Sequence, residues 1–314
     1  MTTKTIKWDG RQVTKPGIYS GITLATYHRS DICDGPSISS SGLRKIFHES
    51  PAHFYQTWHG NPARTEPSES RAFIVGRALH HLVLGEKFFA KLFTIEPEEW
   101  PDEHGVVKPW NNNRTVCKKW HAEQRELGRA VLTLKEVEMI RGMAEKLALH
   151  PMVQHGALNG AIERSMFWKD KKTGIWLKAR PDNIPTHSGD FVDLKTTESV
   201  YWMDLMRSIA KYGYHAQGAL VRDGARELMG LKDTSFTLIF SEKKPPHCPR
   251  VVTLKSHDLD LGKDQNEMAI DRFVECLKTN HWPGPGGDKE DAEYIELSDR
   301  DRNMITDRIK YGIS

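Results

Sequence analysis

Near residue 160 the hydrophobic pattern of this chain changes period, and that switch sets its fold class. Upstream, Phe73, Ile74, Ala78, Leu82 and Val83 fall on one helical stripe between Ser70 and about Phe89. The same spacing predicts helices over 116–128 and 133–150, the second opening on an N-cap threonine and closing before Pro151. Downstream, AIERSMFWKD, KKTGIWLKARPDNI and DFVDLKTT alternate with period two between Gly/Asp turns, which predicts three consecutive strands. Helices are expected at about 199–210 and 214–229, strands in SFTLIFSEK and RVVTLK, and a helix in DLGKDQNEMAIDRFVECLKT. Ser39, Ser40 and Ser41 can cap a helix near Gly42, and Pro51 starts another segment. Residues 60–70 form a polar linker and 101–115 a loop; Trp168 and Trp176 are expected as core or cross-strand partners. The fold class is therefore α/β (α+β). An arm over 1–36 precedes one domain over 37–285, helical to 150 and α/β from 151, and a charged tail covers 286–314.

A chain of 314 residues can bury a substantial core without disulfide or metal staples. No run of about 18 apolar residues occurs, so no membrane span is expected. MTTKTIKWDG has no apolar stretch, so no secretory leader is expected and a cytoplasmic setting follows. Cys33, Cys117, Cys248 and Cys276 are far apart with no C-x2-C pair. They are expected as reduced thiols, with no Fe–S cluster. The net charge of +3 neither identifies nor excludes a nucleic-acid partner, because only the local field acts on a substrate.

The chemistry concentrates in FVDLK, residues 191–195. On a strand, Asp193 and Lys195 share one face while Val192 and Leu194 point into a core. Charges on so apolar a strand need pairing or solvent. A second D-x-K, Asp170 and Lys172, lies in the polar hairpin WKDKKTG and reads as a solvated turn. Asp193 differs in its surroundings: ARPDNI places Asp182 just after a proline, and the loop PTHSG returns the chain so that the two carboxylates can converge. Converging carboxylates suit a hard divalent cation, and a lysine beside them can orient water or neutralise charge on a phosphate. An ordinary ion pair between neighbouring strands is the simpler alternative. In HGVVKPWNNNRTVCKKW, Arg114, Lys118 and Lys119 interleave with Trp110 and Trp120, which suits contacts to a nucleic-acid backbone; Arg44 and Lys45 are similar candidates.

Pro181-Asp182 followed by Asp193-Leu194-Lys195 resembles the signature of the PD-(D/E)XK nuclease superfamily. Gly76-x-x-x-His80 upstream and Gln217 downstream resemble the G-x-x-x-H and Q-x-x-x-Y motifs of its RecB-like branch. Here Val221 replaces the last tyrosine, and Tyr214, one turn earlier, is the candidate substitute. The strings ISSSGLRKIFHESPAHF, GRALHHLVL, ERSMFWKDKKTGIWLKARPDNI, VDLKTTES and YGYHAQGALVRDG resemble exonuclease VIII (RecE-type) nucleases of phages and prophages, over about 37–285.

That resemblance implies a restriction-endonuclease-like core, a central mixed sheet flanked by helices. It implies Asp182, Asp193, the backbone carbonyl of Leu194 and His80 as ligands of Mg2+, with Mn2+ able to substitute. Lys195 would position or activate the attacking water, and Gln217 would brace Lys195 or touch the DNA backbone. Glu163, matched to the glutamate on the strand before the PD strand, would serve a second metal or the water near it. His81 neighbours His80, and about 100° of helix rotation keeps both from facing the site. The implied activity is digestion of linear double-stranded DNA from its ends, 5′→3′ and processive, leaving 3′ single strands for a RecT-type annealing protein. The implied setting is a ring-shaped homo-oligomer in a bacterial host cell. The rival readings are a single-strand or structure-specific endonuclease and a catalytically silent DNA-end clamp.

Overall fold

The structure, a computed structural model, describes residues 5–65, 69–85, 89–186, 188–288 and 291–312. Parts of the expected arm, linker, first long helix and tail (1–4, 66–68, 86–88, 289–290 and 313–314) lie outside the described residues.

The first strands, β1 (Ile6–Lys7) and β2 (Gly17–Ser20), precede the short helix α1 (Leu24–His28) and strand β3 (Ser37–Ser39). Helices α2 (Ser40–His48), α3 (Pro51–Thr57) and α4 (Arg71–Val83) follow. Ser50 and Ser70 cap the last two by accepting from backbone N–H groups of their first turns. Next come α5 (Phe89–Leu92), β4 (Phe93–Ile95), β5 (Glu99–Pro101), β6 (Val107–Pro109), α6 (Thr115–Glu126) and β7 (Ala130–Leu132). The expected 101–115 loop thus holds one strand of an antiparallel hairpin, β5 with β6. Helix α7 (Leu134–Ala148) opens on a capping box between Thr133 and Glu136, and α8 (Pro151–Gln154) is one turn.

The second half starts with β8 (Ala161–Ile162), β9 (Ser165–Lys169), β10 (Trp176–Ala179), β11 (Asn183–Ile184) and β12 (Asp190–Thr197). Helices α9 (Trp202–Tyr212) and α10 (Tyr214–Met229) lead to β13 (Ser235–Glu242), β14 (Pro249–Thr253), α11 (Ser256–Thr279) and α12 (Asp299–Tyr311). The three expected strands are five short ones, because Glu163–Arg164 and Arg180–Asp182 break the ladder.

Two sheets position the site. One has the order β1-β2-β9-β10-β3; the other is β12-β13-β14, with β12 parallel to β13 across the α9–α10 crossover. Helix α10 runs between them. Small residues let it approach both: a Cβ on Gly218 would lie 2.6 Å from Phe236, and one on Gly224 would lie 2.9 Å from Trp168. Period-two alternation splits each strand between cores. Phe191, Phe236, Leu238 and Phe240 face α10, whereas Val192, Leu194 and Ile239 face α4 and α7 through Ala78, Leu79, Ile140 and Met143.

Residues expected as an arm do not stand apart. β2 pairs antiparallel with β9, and Val13, Tyr19, Ile22, Tyr27 and Ile32 cover the outer face of the five-stranded sheet over Phe167 and Trp176. Trp168 and Trp176 are both buried but are not cross-strand partners. The register sets Trp176 opposite Lys169 and Leu177 opposite Trp168, so the two indoles lie on opposite faces.

Helices α10 and α11 cross closely at Gly262, where an added Cβ would lie 2.6 Å from the His215 carbonyl oxygen. Gly76, by contrast, would place a Cβ in ordinary contact, 3.5 Å from Thr196 Oγ1. Gly262→Ala should therefore destabilise by about 1–3 kcal/mol. Gly76→Ala should be neutral or gain up to about 1 kcal/mol from helix propensity. Urea unfolding of both variants checks the contrast, and equal losses would contradict it.

Candidate active site

The site forms at the edge of β12. That strand pairs with β13 on one side only, so the Leu194 N–H on its other edge needs a partner. Asp182, just before β11, supplies it: its Oδ2 accepts that N–H at 2.6 Å. Within a strand, the N–H and C=O of one residue point to the same edge, so the Leu194 carbonyl also lies on the Asp182 side. Asp182 Oδ1 faces His80 Nδ1 at 3.3 Å. His80 comes from the last turn of α4, while His81 turns away to stack edge-on with Phe93 at 5.5 Å between centroids.

Asp193 and Lys195 point to the other side of β12, toward α10. Asp193 is only 1% exposed and is held by two neighbours. Gln217 Nε2 donates to its Oδ1 at 2.7 Å, and the Lys195 ammonium pairs with its Oδ2. The ammonium also lies 5.1 Å from the centroid of the Tyr214 ring. Val221, where the motif has a tyrosine, is 2% exposed and packs in the core. Tyr214 is thus the aromatic of α10 that meets the lysine.

Lys195, Tyr214, Ser41, Arg44, Lys45, His48, Glu49, Lys211 and Tyr212 line a cleft of about 440 Å³. Arg44 closes its floor by donating to the Tyr212 carbonyl at 2.6 Å. Gly213, at φ +62°, makes the α9–α10 corner there; a Cβ would meet Arg44 Cδ at 2.9 Å. The sequence reading passed over His48, Lys211 and Tyr212. For Lys211 and Tyr212 the one signal is YGY at 212–214, a glycine corner between two helical stripes; His48 carries none.

The other expected residues lie farther out. Glu163 is exposed in the bend between β8 and β9 at φ +54°, not on a strand. Asn183 pairs with Ile162, so the register carried one residue further sets Glu163 across from Asp182. No hydrogen bond or ion pair among the described residues ties it to the cluster. Arg114, Lys118 and Lys119 are exposed on and beside α6, also with no bond to the cluster among the described residues. Asp170 accepts from Thr173 within its turn and Lys172 pairs with Asp271, as befits a solvated hairpin.

Burial and charge set the two carboxylates apart. Burial pushes Asp182 up, but His80, Lys195 and the Leu194 N–H outweigh it and hold the carboxyl below its ordinary value. Burial raises Asp193, and the charge of Asp182 adds to it, beyond what Lys195 and His80 offset. Burial alone would lower Lys195 and His80; Asp193 and Asp182 hold Lys195 above its ordinary value, and Asp182 does the same for His80.

The donors fit a hard divalent cation. Two carboxylates and a backbone carbonyl flank β12 at Leu194, Asp182 and the carbonyl on its open edge and Asp193 on its α10 face, with an imidazole beside Asp182. Asp193 Oδ2 is buried and meets only the lysine, without a well-aligned hydrogen bond. Among the described residues no three His, Cys, Asp or Glu side chains form a cage by themselves. This is an oxygen-rich donor set of the kind a hard divalent cation takes while keeping part of its water shell.

Comparison with known proteins agrees with this architecture. Residues 39–297 match a family model described as a PDDEXK-like domain of unknown function (DUF3799), and the chain belongs to that family. The fold and the ordered Pro181-Asp182 and Asp193-Leu194-Lys195 motif mark a PD-(D/E)XK nuclease-type domain. Among solved structures, the chain is similar to one from Eubacterium rectale described as a "Putative exonuclease". Identity is 16%, TM-score 0.56, and the match covers 92% of this chain and 95% of that one. A phage related exonuclease from Haemophilus somnus 129PT also matches, with 12% identity over 65% of this chain and 95% of that one, at a TM-score of 0.28. No curated protein matches the chain in sequence.

In metal-free protein the two aspartates should act with opposite sign. Charged Asp182 is favoured by folding, so its contribution is present at neutral pH and lost as pH falls through its lowered value. Charged Asp193 is disfavoured, so its cost is present at neutral pH and relieved as pH falls through its raised value. In EDTA at pH 7, Asp182→Asn should lower Tm, whereas Asp193→Asn/Lys195→Met, which removes the raised carboxylate without stranding the buried ammonium, should raise it, read by differential scanning calorimetry. Shifts of the same sign would contradict this electrostatic assignment.

Proposed function

We propose that the protein is a Mg2+-dependent exodeoxyribonuclease acting on ends of linear double-stranded DNA, 5′→3′ and processively. The observation that carries this reading is the placing of Asp193 between Lys195 and Gln217, beside Asp182, with Lys195 opening onto a cleft lined by Arg44, Lys45, Lys211 and Glu49. A divalent cation bound by Asp182, Asp193 and the Leu194 carbonyl, with His80 adjacent, would supply charge stabilisation to the phosphate and a lowered pKa for water.

The chain's own residues do the rest. Lys195, held protonated by its carboxylates, enters as a fixed positive charge beside the scissile phosphate and a donor to the attacking water. That favours water positioning and charge stabilisation over proton abstraction. Gln217 fixes the Asp193 carboxylate so that Oδ2 keeps its aim. The Leu194 N–H does the same for Asp182. Arg44, Lys45 and Lys211 attract the backbone of the entering strand. In this reading the product's 3′ single strand passes to a RecT-type annealing protein, and the enzyme works as a ring-shaped homo-oligomer.

The test uses linear duplex labelled at one 5′ or one 3′ end, with a closed circle alongside, in Mg2+ and in EDTA. Early release of the 5′ label as mononucleotide, an intact circle and no activity in EDTA are expected. Cutting of the circle would make the protein an endonuclease; tight end binding without cleavage would make it a clamp. Lys195→Ala should lower the cleavage rate by at least roughly 10²-fold while DNA binding persists. His80→Ala should cost more activity than His81→Ala, and the reverse order would remove His80 from the site.

A further inference from the structure

One hydrogen-bonded chain beside the cleft is left without a role by the chemistry of β12. Gly262 lets α11 cross α10 closely, so Gln265 and Asn266, three and four residues on, bond across the crossing. Asn266 Nδ2 donates to the Ala216 carbonyl at 2.8 Å. Gln265, 8% exposed, bridges two imidazoles. Its Oε1 accepts from His215 Nε2 at 2.9 Å, and its Nε2 donates to His48 Nε2 at 3.2 Å. His48 ends α2 and lines the cleft. We propose that His48 contacts a phosphate of the bound strand, and that Gln265 positions it by selecting which ring nitrogen carries hydrogen. The inference rests on the nuclease reading and adds two residues to its cleft.

An amide oxygen only accepts and an amide nitrogen only donates, so the chain has a direction. His215 carries hydrogen on Nε2, whereas His48 keeps a lone pair on Nε2 and carries its hydrogen on Nδ1. In the empty cleft His48 is therefore a neutral ring. Partial burial holds it below its ordinary pKa, and the charges of His215 and Arg44 push the same way, beyond what Glu49 offsets. Lys45 on the same helix, Lys211 from α9 and Lys195 from β12 add positive charge to the cleft. The phenols of Tyr212 and Tyr214 complete the wall, and α11 presents the Gln265 amide.

A phosphate reverses this balance. Its negative charge offsets the surrounding cations and favours a second hydrogen on His48. That proton comes from solvent and goes to Nε2, where it would face the Gln265 amide nitrogen. The amide turns over. Oε1 then accepts from His48 Nε2, the amide nitrogen donates to His215 Nε2, and His215 passes its own hydrogen through solvent from Nε2 to Nδ1. The net change is one proton bound at His48. With both imidazoles charged, one Nε2–H would lose its acceptor, so His215 stays neutral and the charge falls on the cleft side. Phosphate binding and protonation then strengthen one another by the same factor.

The test uses the full-length protein and a short linear duplex in EDTA, with binding heats measured at about pH 7 in buffers of different ionisation enthalpy. The wild type should take up as much as about one proton per bound chain, and its affinity should rise from about pH 8 to about pH 6. His48→Gln keeps a donor without a charge. It should lose that uptake and fall below wild-type affinity at about pH 6. Gln265→Glu offers an acceptor to both rings and should charge His48 before DNA arrives. It should lose the uptake yet bind at least as tightly as wild type at about pH 8, which a packing role for Gln265 does not produce. Nitrogen NMR shifts of the histidine rings in DNA-free protein should show His48 neutral with hydrogen on Nδ1, and Gln265→Glu should turn it into an imidazolium. A neutral His48 with hydrogen on Nε2, or proton uptake surviving in full in His48→Gln, would overturn the proposal. Duplex binding without uptake would overturn it alone. A duplex that does not bind would overturn the nuclease reading and this inference with it.

Discussion

Everything at the β12 edge depends on holding two carboxylates together away from water. Coulomb repulsion between Asp182 and Asp193 is strong where solvent is scarce, and the chain opposes it with fixed partners. His80 and the Leu194 N–H serve Asp182; Lys195 and Gln217 serve Asp193. These partners arrive from α4, β12 and α10; α4 packs in one core, α10 in the other, and β12 contributes to both. The helices and sheets are thereby tied to one point. A bound cation would take over the neutralising work, freeing Lys195 to face the substrate phosphate.

The asymmetry of the pair follows from which side of β12 each carboxylate occupies. Asp182 sits at the strand edge, partly open, with a backbone donor. Asp193 lies on the α10 face, closed over by a packed helix. The same strand alternation that sends Val192 and Leu194 into one core sends the charged residues toward the other. The site is thus a local interruption of a hydrophobic face that includes Phe191 and Phe240.

Much of this was legible in the sequence for physical reasons. Asp193 and Lys195 stand out because period-two alternation turns a D-x-K spacing into a shared face. Gln217 and His80 stand out through spaced motifs, and both lie beside the carboxylates, with Gln217 donating to Asp193 rather than bracing Lys195 as expected. The cleft wall was less legible. Arg44 reaches Tyr212 across 168 residues, a contact no local pattern encodes. Glu163 shows the limit of motif matching, since a residue expected on a strand lies in a left-handed bend. Trp168 and Trp176 are core residues, the first of the two expected readings; the cross-strand reading misses by one residue of register, which sends the indoles to opposite faces.

The position of β2 beside β9 bears on how the chain acquires its fold. The Trp176 indole donates to Asp34 across 142 residues, and the Lys178 ammonium donates to the Tyr27 carbonyl across 151. Closing loops of that length costs entropy before any contact rewards it, which slows such pairings. On the ribosome residues 13–32 are therefore made well before the strands that fix them. Val13, Tyr19, Ile22 and Tyr27 stay exposed on the nascent chain until β9 and β10 have emerged. A chain stopped short of residue 179 leaves that apolar segment with no sheet to cover.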